Sequence, residues 1–145
     1  MPDPRFESKI IAKFINHVME KGKKKTARKI VYRAMEEVAD KKKGQEPLDI
    51  FERAINNVKP KMEVRSKRVG GANYQVPYRV PEKRGVTLAM RWIIGAAKKK
   101  KGSPMHKKLA QELMLASEAE GEAMKKRFNV HRMAQANKAF AYLAR

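Results

Sequence analysis

The stretch 64–80, VRSKRVGGANYQVPYRV, carries the residues whose types and spacing best suit a binding site. Its cations can hold phosphate oxygens through charge-assisted hydrogen bonds. Gly70 and Gly71 let the backbone approach a partner closely, and Tyr74 offers a ring on which a base can stack. The arms alternate with period two around the turn residues Gly70 to Asn73, which predicts a β-hairpin. The cations of the two arms are Arg65, Lys67, Arg68 and Arg79.

Two interpretations of this hairpin compete, one structural and one functional. In the structural one its tyrosines pack on neighbouring helices, which suits the base, because a bare two-stranded ribbon is marginal in water. The tip has few apolar residues and many cations, so there we predict contact with a nucleic acid. Pro77 has no backbone donor, so its nitrogen is expected to face outward from the strand pair.

Further clusters of cations lie outside the hairpin. Six cations fall within residues 21–29 without an acid among them, so no local salt-bridge lattice can form, and we predict phosphate contacts there. Another cluster comprises Lys125, Lys126, Arg127, His131 and Arg132. The lysines at 98–101 are explained equally well by the helix dipole or by phosphate contact. Such clusters position a protein on a phosphate backbone without reading its sequence.

The charge balance indicates the class of partner. Lys and Arg number 35 against 15 Asp and Glu, a net charge of +20, while apolar residues make up an ordinary 42%. Such an excess repels itself unless a polyanion neutralises it, so we expect RNA, DNA or an anionic membrane surface. A membrane is the least favoured, because no apolar run approaches ~20 residues and the start, MPDPRF, does not open a signal peptide. The lack of cysteine fits a reducing compartment, and we expect the cytoplasm.

Residues that catalyse reactions form no constellation in this sequence. His17, His106 and His131 lie far apart without ligand spacing, and no phosphate loop, nucleophile elbow or zinc motif is present. We therefore predict no enzyme activity, no metal and no cofactor. Trp92 lies on a helical apolar stripe and is expected in the core.

Helical periodicity surrounds the hairpin. It predicts a mainly α, single domain over 1–145 with about six helices and one protruding β-hairpin, at about 62–80, between the third and fourth. Residues 81–85 are expected to form a polar connector, and Gly121 to break the last two helices apart. The helices are expected at about 8–21, from the lysines at 23–25 to those at 41–43, at 47–60, at 86–100, from Ser103-Pro104 to about 120, and from Asn129 to about 143.

Five motifs in order give the chain a family resemblance. They are PDPRF, GKKKTA, MEVRSKRVGGANYQVP, LAMRWI and KKRFNVHRMAQANKAFA, of which VGGANYQVP is highly specific. From residue 2 to about residue 142, the sequence resembles the bacterial small-subunit ribosomal protein seven family. The resemblance implies a helical body with a protruding β-hairpin, in agreement with the periodicity.

The resemblance also implies a function. Proteins of this family bind the 3′ major domain of 16S-class rRNA directly and nucleate assembly of the head of the small subunit. They lie at the subunit interface near the exit tRNA site and the mRNA path. Exit-site tRNA, mRNA and other head and platform proteins are therefore expected neighbours. We expect a ribosome-bound protein that does not form homo-oligomers.

Three sets of residues resemble the RNA contacts of the family, and the charge pattern adds Arg79. They are Lys23, Lys24, Lys25 and Arg28; Arg65, Lys67, Arg68, Gly70, Gly71, Asn73, Tyr74 and Gln75 in the hairpin; and Lys125, Lys126, Arg127, Arg132 and Lys138. Three departures are visible. Phe128-Asn129 replaces an acidic pair, the end reads Tyr142-Leu143-Ala144-Arg145 instead of the usual HYRW, and the chain begins almost at PDP, where relatives usually have a basic arm. Without such an arm, rRNA affinity would be lower unless other residues supply it.

Two other classes of protein remain open at this point. A DNA-architectural protein would slide the β-arm into the minor groove, usually with an apolar or proline wedge that the tip, Gly70-Gly71-Ala72, does not offer. A nucleic-acid-modifying enzyme would need a catalytic constellation, which the sequence lacks.

Overall fold

The computed structural model describes residues 1–144 of the chain. This part contains six α-helices, one β-hairpin and a terminal 3₁₀ helix. This confirms the predicted mainly α fold with a hairpin between the third and fourth helices. In chain order the elements are α1 (Lys9–Val18), α2 (Lys24–Lys41), α3 (Pro47–Val58), β1 (Met62–Val69), β2 (Ala72–Arg79), α4 (Glu82–Lys99), α5 (Met105–Ser117), α6 (Glu122–Ala136) and the C-terminal 3₁₀ helix (Lys138–Leu143).

The apolar faces of the helices meet in one core. Phe14 of α1 and Phe51 of α3 lie edge to face in it, with ring centroids 5.1 Å apart and no exposed surface. α5 runs through the middle and packs against α2, α3 and α4, where Leu109 and Leu113 are buried. Burial of each such side chain contributes roughly 1.5–3 kcal/mol, so this core holds the helices that carry the cations.

The hairpin turn is shorter than predicted. Val69 pairs with Ala72, so only Gly70 and Gly71 form the turn. Their φ angles are 59° and 85°, and a two-residue type I′ turn needs positive φ at both positions, which glycine adopts without strain. Pro77 occupies a position without ladder hydrogen bonds, because the pairs alternate and Val80 N–H donates to Lys61 O. The outward orientation of its nitrogen is thus confirmed.

The predicted connector at 81–85 is wrong, because α4 begins at Glu82. Pro81 is its N-cap with extended backbone, and the Glu82 carboxylate lies in the first turn, where the helix dipole favours an anion. Gly85 is not a breaker but a buried contact between α4 and the segment after α3. The glycine is needed for close packing rather than for a turn.

The prediction for the last helix is also wrong in its bounds. α6 begins at Glu122, and Gly121 with φ 93° is its N-cap, so Asn129 lies inside the helix. The helix ends at Ala136 rather than near 143. Asn137 closes it by donating its side-chain amide to Met133 O at 2.8 Å, and the 3₁₀ helix follows. Lys125 to Arg127 therefore lie in the helix and not before it.

The remaining differences are small. α1 ends at Val18, and Gly22 lies in the turn after it with φ 73°. α5 begins at Met105, because Pro104 has an extended backbone and serves as the N-cap. Ser103, predicted as the cap, makes no capping hydrogen bond.

Two glycines of α4 are expected to respond oppositely to alanine. A Cβ at Gly95 meets no atom within 4 Å, so Gly95→Ala should raise the free energy of unfolding by about 1 kcal/mol through helix propensity. A Cβ at Gly85 would lie 2.9 Å from Lys59 Cγ and 3.3 Å from Pro60 O. Overpacking then outweighs propensity, and Gly85→Ala should lower the same quantity by about 1 kcal/mol. Urea unfolding measures both values, and a gain at both positions would contradict the close packing at Gly85.

Candidate nucleic-acid interface

The hairpin presents two different faces. Residues directly opposite each other in the ladder share a face, and successive residues alternate between faces. We call one the anchored face, formed by Glu63, Arg65, Lys67, Tyr74, Val76 and Tyr78. The other is the open face, where Ser66, Arg68, Asn73 and Gln75 lie toward the turn and Arg79 lies at the base, beyond the buried Pro77. The hairpin residues predicted to contact RNA are divided between them.

The anchored face packs on the end of the chain. The Tyr74 ring lies against Phe140, with centroids 5.2 Å apart, and Lys67 Nζ donates to Leu143 O at 2.6 Å. Both contacts join the middle of the hairpin to the C-terminal 3₁₀ helix. Tyr74, predicted as a stacking platform for a base, is thus half-buried against a protein ring.

Arg65 is held near the base of the same face by a buried carboxylate. Glu63 is only 7% exposed, and its oxygens accept hydrogen bonds from Arg65 Nε and Arg84 Nε, both at 2.6 Å. Burial alone would raise the pKa of Glu63, but the hydrogen bonds and charges of Arg84 and Arg65 outweigh it and hold the pKa below its usual value. Arg65 also lies 5.0 Å above the Tyr78 ring. Its contacts fix the base of the hairpin.

The open face keeps its cations available. Arg68 and Arg79 are exposed, and neither has an ion pair within residues 1–144. Gln75 Nε2 donates to Ser66 Oγ at 2.9 Å across the strands, and Asn73 is exposed beside the turn. This face offers amides and guanidinium groups to a partner, whereas the anchored face offers few.

The start of α2 forms a second cationic surface. Lys23, Lys24 and Lys25 are exposed, the first turn contains no acid, and the N-cap Lys23 makes no side-chain capping bond. Arg28 is half-buried, and its Nε is buried without a hydrogen-bond partner. The free N–H groups and positive dipole end of the helix add to these charges, which is an arrangement that suits phosphate.

The PDPRF motif packs its N-terminal turn beside that surface. Asp3 is 2% exposed, and its carboxylate accepts from the N–H groups of Arg5 and Phe6 and from the Tyr32 hydroxyl at 2.6 Å. The guanidinium of Arg5 then lies 5.0 Å above the Tyr32 ring. Asp3 and Tyr32 were not among the predicted site residues. The one sequence signal for this turn is an aspartate, whose side chain commonly accepts hydrogen bonds from N–H groups two or three residues later.

The cations of α6, together with Lys138 at the start of the 3₁₀ helix, fall into two groups. Arg127 and His131 support the hairpin, because Arg127 Nε donates to Lys59 O at 3.1 Å and His131 Nε2 accepts from Lys61 N–H at 3.0 Å. The second group is exposed and without an ion pair in the described chain, except for Lys125, which lies 3.2 Å from Glu122. This exposed group is Lys125, Lys126, Arg132 and Lys138.

Acid is expected to loosen the contact between α6 and the hairpin. Burial lowers the pKa of His131, and the charges of Arg127 and Lys61 lower it further, below the 6.5 of an unperturbed histidine. The unfolded state therefore binds the proton more readily. The stability that neutral His131 contributes is fully present above about pH 6.5. It is lost as the pH falls through the pKa that His131 has in the folded protein.

An NMR titration of His131 with hydrogen exchange of the Lys61 amide tests this expectation. The protection factor of the Lys61 amide, which corrects for the intrinsic pH dependence of exchange, should fall in step with protonation of His131. His131→Gln retains an acceptor that does not titrate and should remove the pH dependence at Lys61. His17, whose pKa burial also lowers, provides the background, and His17→Gln should leave Lys61 unchanged. An equal fall of the Lys61 protection factor in His131→Gln would refute the link between His131 protonation and this contact.

Neighbouring elements join the clusters into one surface. Lys23 and Lys98 line the same groove, so the start of α2 adjoins the end of α4. A second groove lies between α4 and the first turns of α6, and α6 packs on β1. We call the whole the basic strip. Its cations are Lys23, Lys24, Lys25, Arg28, Arg91, Lys99, Lys126, Arg132, Lys138, Arg68 and Arg79.

The acids of the described chain leave this strip unneutralised. Those carboxylates that form ion pairs do so with other cations, such as Glu118 with Lys42 at 2.6 Å and the buried Glu112 with Lys100 at 2.7 Å. Among residues 1–144, no cation of the basic strip takes part in an ion pair. The cations of the basic strip therefore carry positive charge that no ion pair of the described chain offsets.

Sequence reasoning missed Arg91, placed Trp92 in the core and left Lys99 undecided between a dipole effect and phosphate contact. Trp92, predicted in the core, is only half-buried and lines the groove between α4 and α6. Arg91 and Lys99 are exposed on α4 with Gly95 midway between them. The signal was the spacing of four residues, which places Arg91, Gly95 and Lys99 on one face of a helix.

Comparison with known proteins decides the family. The family profile described as "Ribosomal protein S7p/S5e" matches residues 1–138. The chain belongs to this family. It is similar to the "Small ribosomal subunit protein uS7" of Pseudothermotoga lettingae, with 51% identity over 98% of this chain and 91% of that protein. The protein of the same name from Psychrobacter sp. is 54% identical over 98% of this chain and 90% of its own length.

Membership of this ribosomal protein family settles the broad role. The chain is a structural component of the ribosome and not an enzyme, and it is located on ribosomes in the cytoplasm. Searched over the described residues, the side chains include no group of three or more His, Cys, Asp or Glu that could hold a metal ion. No helix within 1–144 is long and apolar enough to cross a membrane.

Proposed function

We propose that this protein belongs to the small ribosomal subunit, binds its 16S-class rRNA directly and nucleates assembly of the head, the 3′ major domain. Within this proposal it acts as a single domain near the exit tRNA site and the mRNA path, beside other head and platform proteins. The names of its relatives and the five sequence motifs support this placement.

The observation that carries direct rRNA binding is the basic strip. A chain with a net charge of +20 pairs acids such as Glu118 and Glu112 with other cations and leaves these cations without an ion pair on adjoining helices and on the hairpin. Phosphates neutralise such a surface and release counterions, and this supplies most of the binding free energy. Shape then selects folded RNA, because the strip runs over several elements held at fixed positions by the core.

The hairpin contributes through its open face and its turn. Arg68 and Arg79 bind phosphates, Asn73 and Gln75 offer hydrogen bonds, and the backbone at Gly70-Gly71 approaches the RNA closely. Arg65, Lys67 and Tyr74 act chiefly by holding the hairpin in place, because their contacts within the protein already occupy them. Exit-site tRNA and mRNA pass near the tip.

Charge reversal tests the open face of the hairpin. Arg68→Glu with Arg79→Glu is expected to weaken binding to a fragment of the 3′ major domain about 10–100-fold and to lower the slope of log K against log salt by about 2. The matched control, Lys43→Glu with Arg53→Glu, makes the same change in net charge at exposed positions outside the strip. Equal losses in both double variants would mean that only net charge matters. That result would refute the assigned interface.

Competition tests the class of nucleic acid. Complexes with the rRNA fragment should resist an equal concentration of duplex DNA, whereas a DNA-architectural protein would move to the DNA. Chemical probing of the bound rRNA should show protection within the 3′ major domain. Preferential transfer to DNA would overturn the proposal.

The place on the ribosome is tested with a single reactive residue. The chain has no cysteine, so Asn73→Cys introduces a unique thiol on the open face. A photoreactive group on it should cross-link to exit-site tRNA or mRNA, whereas the same group at Arg53→Cys should not. Cross-links from position 53 alone would refute this orientation.

A further inference from the structure

The groove between α4 and α6 is a distinct part of the basic strip. It has a volume of about 360 Å³, within the range of small-ligand sites. Trp92 contributes an indole ring, and Gly95 and Ala96 contribute little bulk. The remaining lining residues are Arg91, Lys99, Glu122, Lys125, Lys126 and Asn129.

The groove is open because of glycine. An added Cβ at Gly95 would meet no atom within 4 Å, so the space beside it is unfilled. Trp92 packs against the core yet remains half-buried, and its indole N–H has no acceptor within the described chain. A tryptophan with one packed side and one accessible side is suited to stack with a second flat ring.

The charges around the groove select an anion. Arg91, Lys99 and Lys126 have no ion pair among residues 1–144, and the only acid of the lining, Glu122, lies 3.2 Å from Lys125. A ligand that combines a flat ring with negative groups fits both features. Single-stranded nucleic acid has this chemistry, since bases stack on aromatic side chains while cations hold the backbone.

We propose that this groove binds one unpaired nucleotide of the RNA, an inference that rests on the proposed function. Its base stacks on Trp92, its phosphates lie between Arg91 and Lys99 on one side and Lys125 and Lys126 on the other, and Asn129 hydrogen-bonds the base edge. A paired base inside a duplex cannot enter, because it is already stacked on both sides. The site therefore distinguishes an unpaired nucleotide from the charge of the RNA in general.

Fluorescence of the single tryptophan tests the proposal directly. The probes are a single-stranded oligouridylate of about 8 nucleotides, an RNA duplex of equal charge and inorganic polyphosphate. Oligouridylate should quench Trp92 by at least about half through stacking, whereas the duplex and polyphosphate should bind without comparable quenching. Equal quenching by all three would overturn the proposal, because charge alone would then explain it.

Substitution at Gly95 provides the variants. Gly95→Leu fills the groove while keeping the Trp92 side chain, and it should weaken oligouridylate binding about 10-fold while abolishing the quenching. Gly95→Ala has the same backbone effect but leaves most of the space, and it should behave like the unaltered protein. Trp92→Ala should lose about 10–100-fold in affinity, but Trp92 contacts the core, so Gly95→Leu is the deciding variant.

The outcomes separate this site from the proposed function. If the rRNA fragment binds with strong salt dependence but quenching is absent and Gly95→Leu binds normally, the nucleotide site is wrong and the proposed function stands. If neither the rRNA fragment nor oligouridylate binds, both proposals fail. Quenching by oligouridylate that Gly95→Leu abolishes supports the site.

Discussion

Raising the salt concentration from about 50 to about 200 mM is expected to weaken binding of this protein to 16S-class rRNA by about 10³–10⁵-fold. The basic strip accounts for an effect of this size, because about 6–10 phosphate contacts each release a condensed counterion. Filter binding at several salt concentrations gives the slope of log K against log salt and hence the number of contacts. A binding curve that is flat over this range would refute the electrostatic account.

The free protein provides a control of opposite sign. Its net charge of +20 destabilises the compact state through self-repulsion, which salt screens. The same increase in salt should therefore raise the melting temperature while it lowers the affinity for RNA. If salt lowered both, loss of folded protein would explain the loss of binding.

The second large effect is expected from Phe51→Ala, which should lower the free energy of unfolding by about 3–5 kcal/mol. Phe51 has no exposed surface, and its ring contacts Phe14 edge to face at 5.1 Å between centroids. The substitution removes apolar burial and leaves a cavity between α1 and α3. Because domains of this kind are stable by only about 5–15 kcal/mol, the substitution should remove a large fraction of the total stability. Urea unfolding measures the loss.

A matched variant and RNA binding test whether lost packing at Phe51 causes the lower stability. Phe51→Leu retains most of the apolar volume and should cost much less than Phe51→Ala. Because rRNA binds only the folded chain in our proposal, about a 100-fold excess of the fragment over its Kd should restore about 2.7 kcal/mol to either variant. Equal losses in the alanine and leucine variants would contradict the assigned packing of Phe51.

Local patterns were sufficient to predict the element types but not all of their ends. The Gly70-Gly71 turn was predictable because its conformation is dictated by neighbouring residues. Gly85 was misinterpreted because a glycine signals a turn, a cap or a close contact alike, whereas Gly121 separates α5 from α6 as predicted. Gly85 is explained by Lys59, which lies in a different segment, and no local pattern contains that information.

The two faces of the hairpin show the same limit. Period two correctly predicted that Arg65 and Lys67 share a face opposite Arg68. It did not indicate which face the C-terminal 3₁₀ helix would cover. That depends on contacts such as the one from Lys67 to Leu143, between residues 76 positions apart.

Composition, periodicity and motifs are properties of the order of residues, so the charge excess, the helical body, the hairpin and the family were predictable from the sequence. The folded arrangement was needed to show which cations remain unpaired and that Trp92 lies at the edge of an open groove. Ion pairing and exposure depend on distances between side chains that are remote in the chain. Those distances exist only once the helices have packed around Phe14, Phe51 and Leu113.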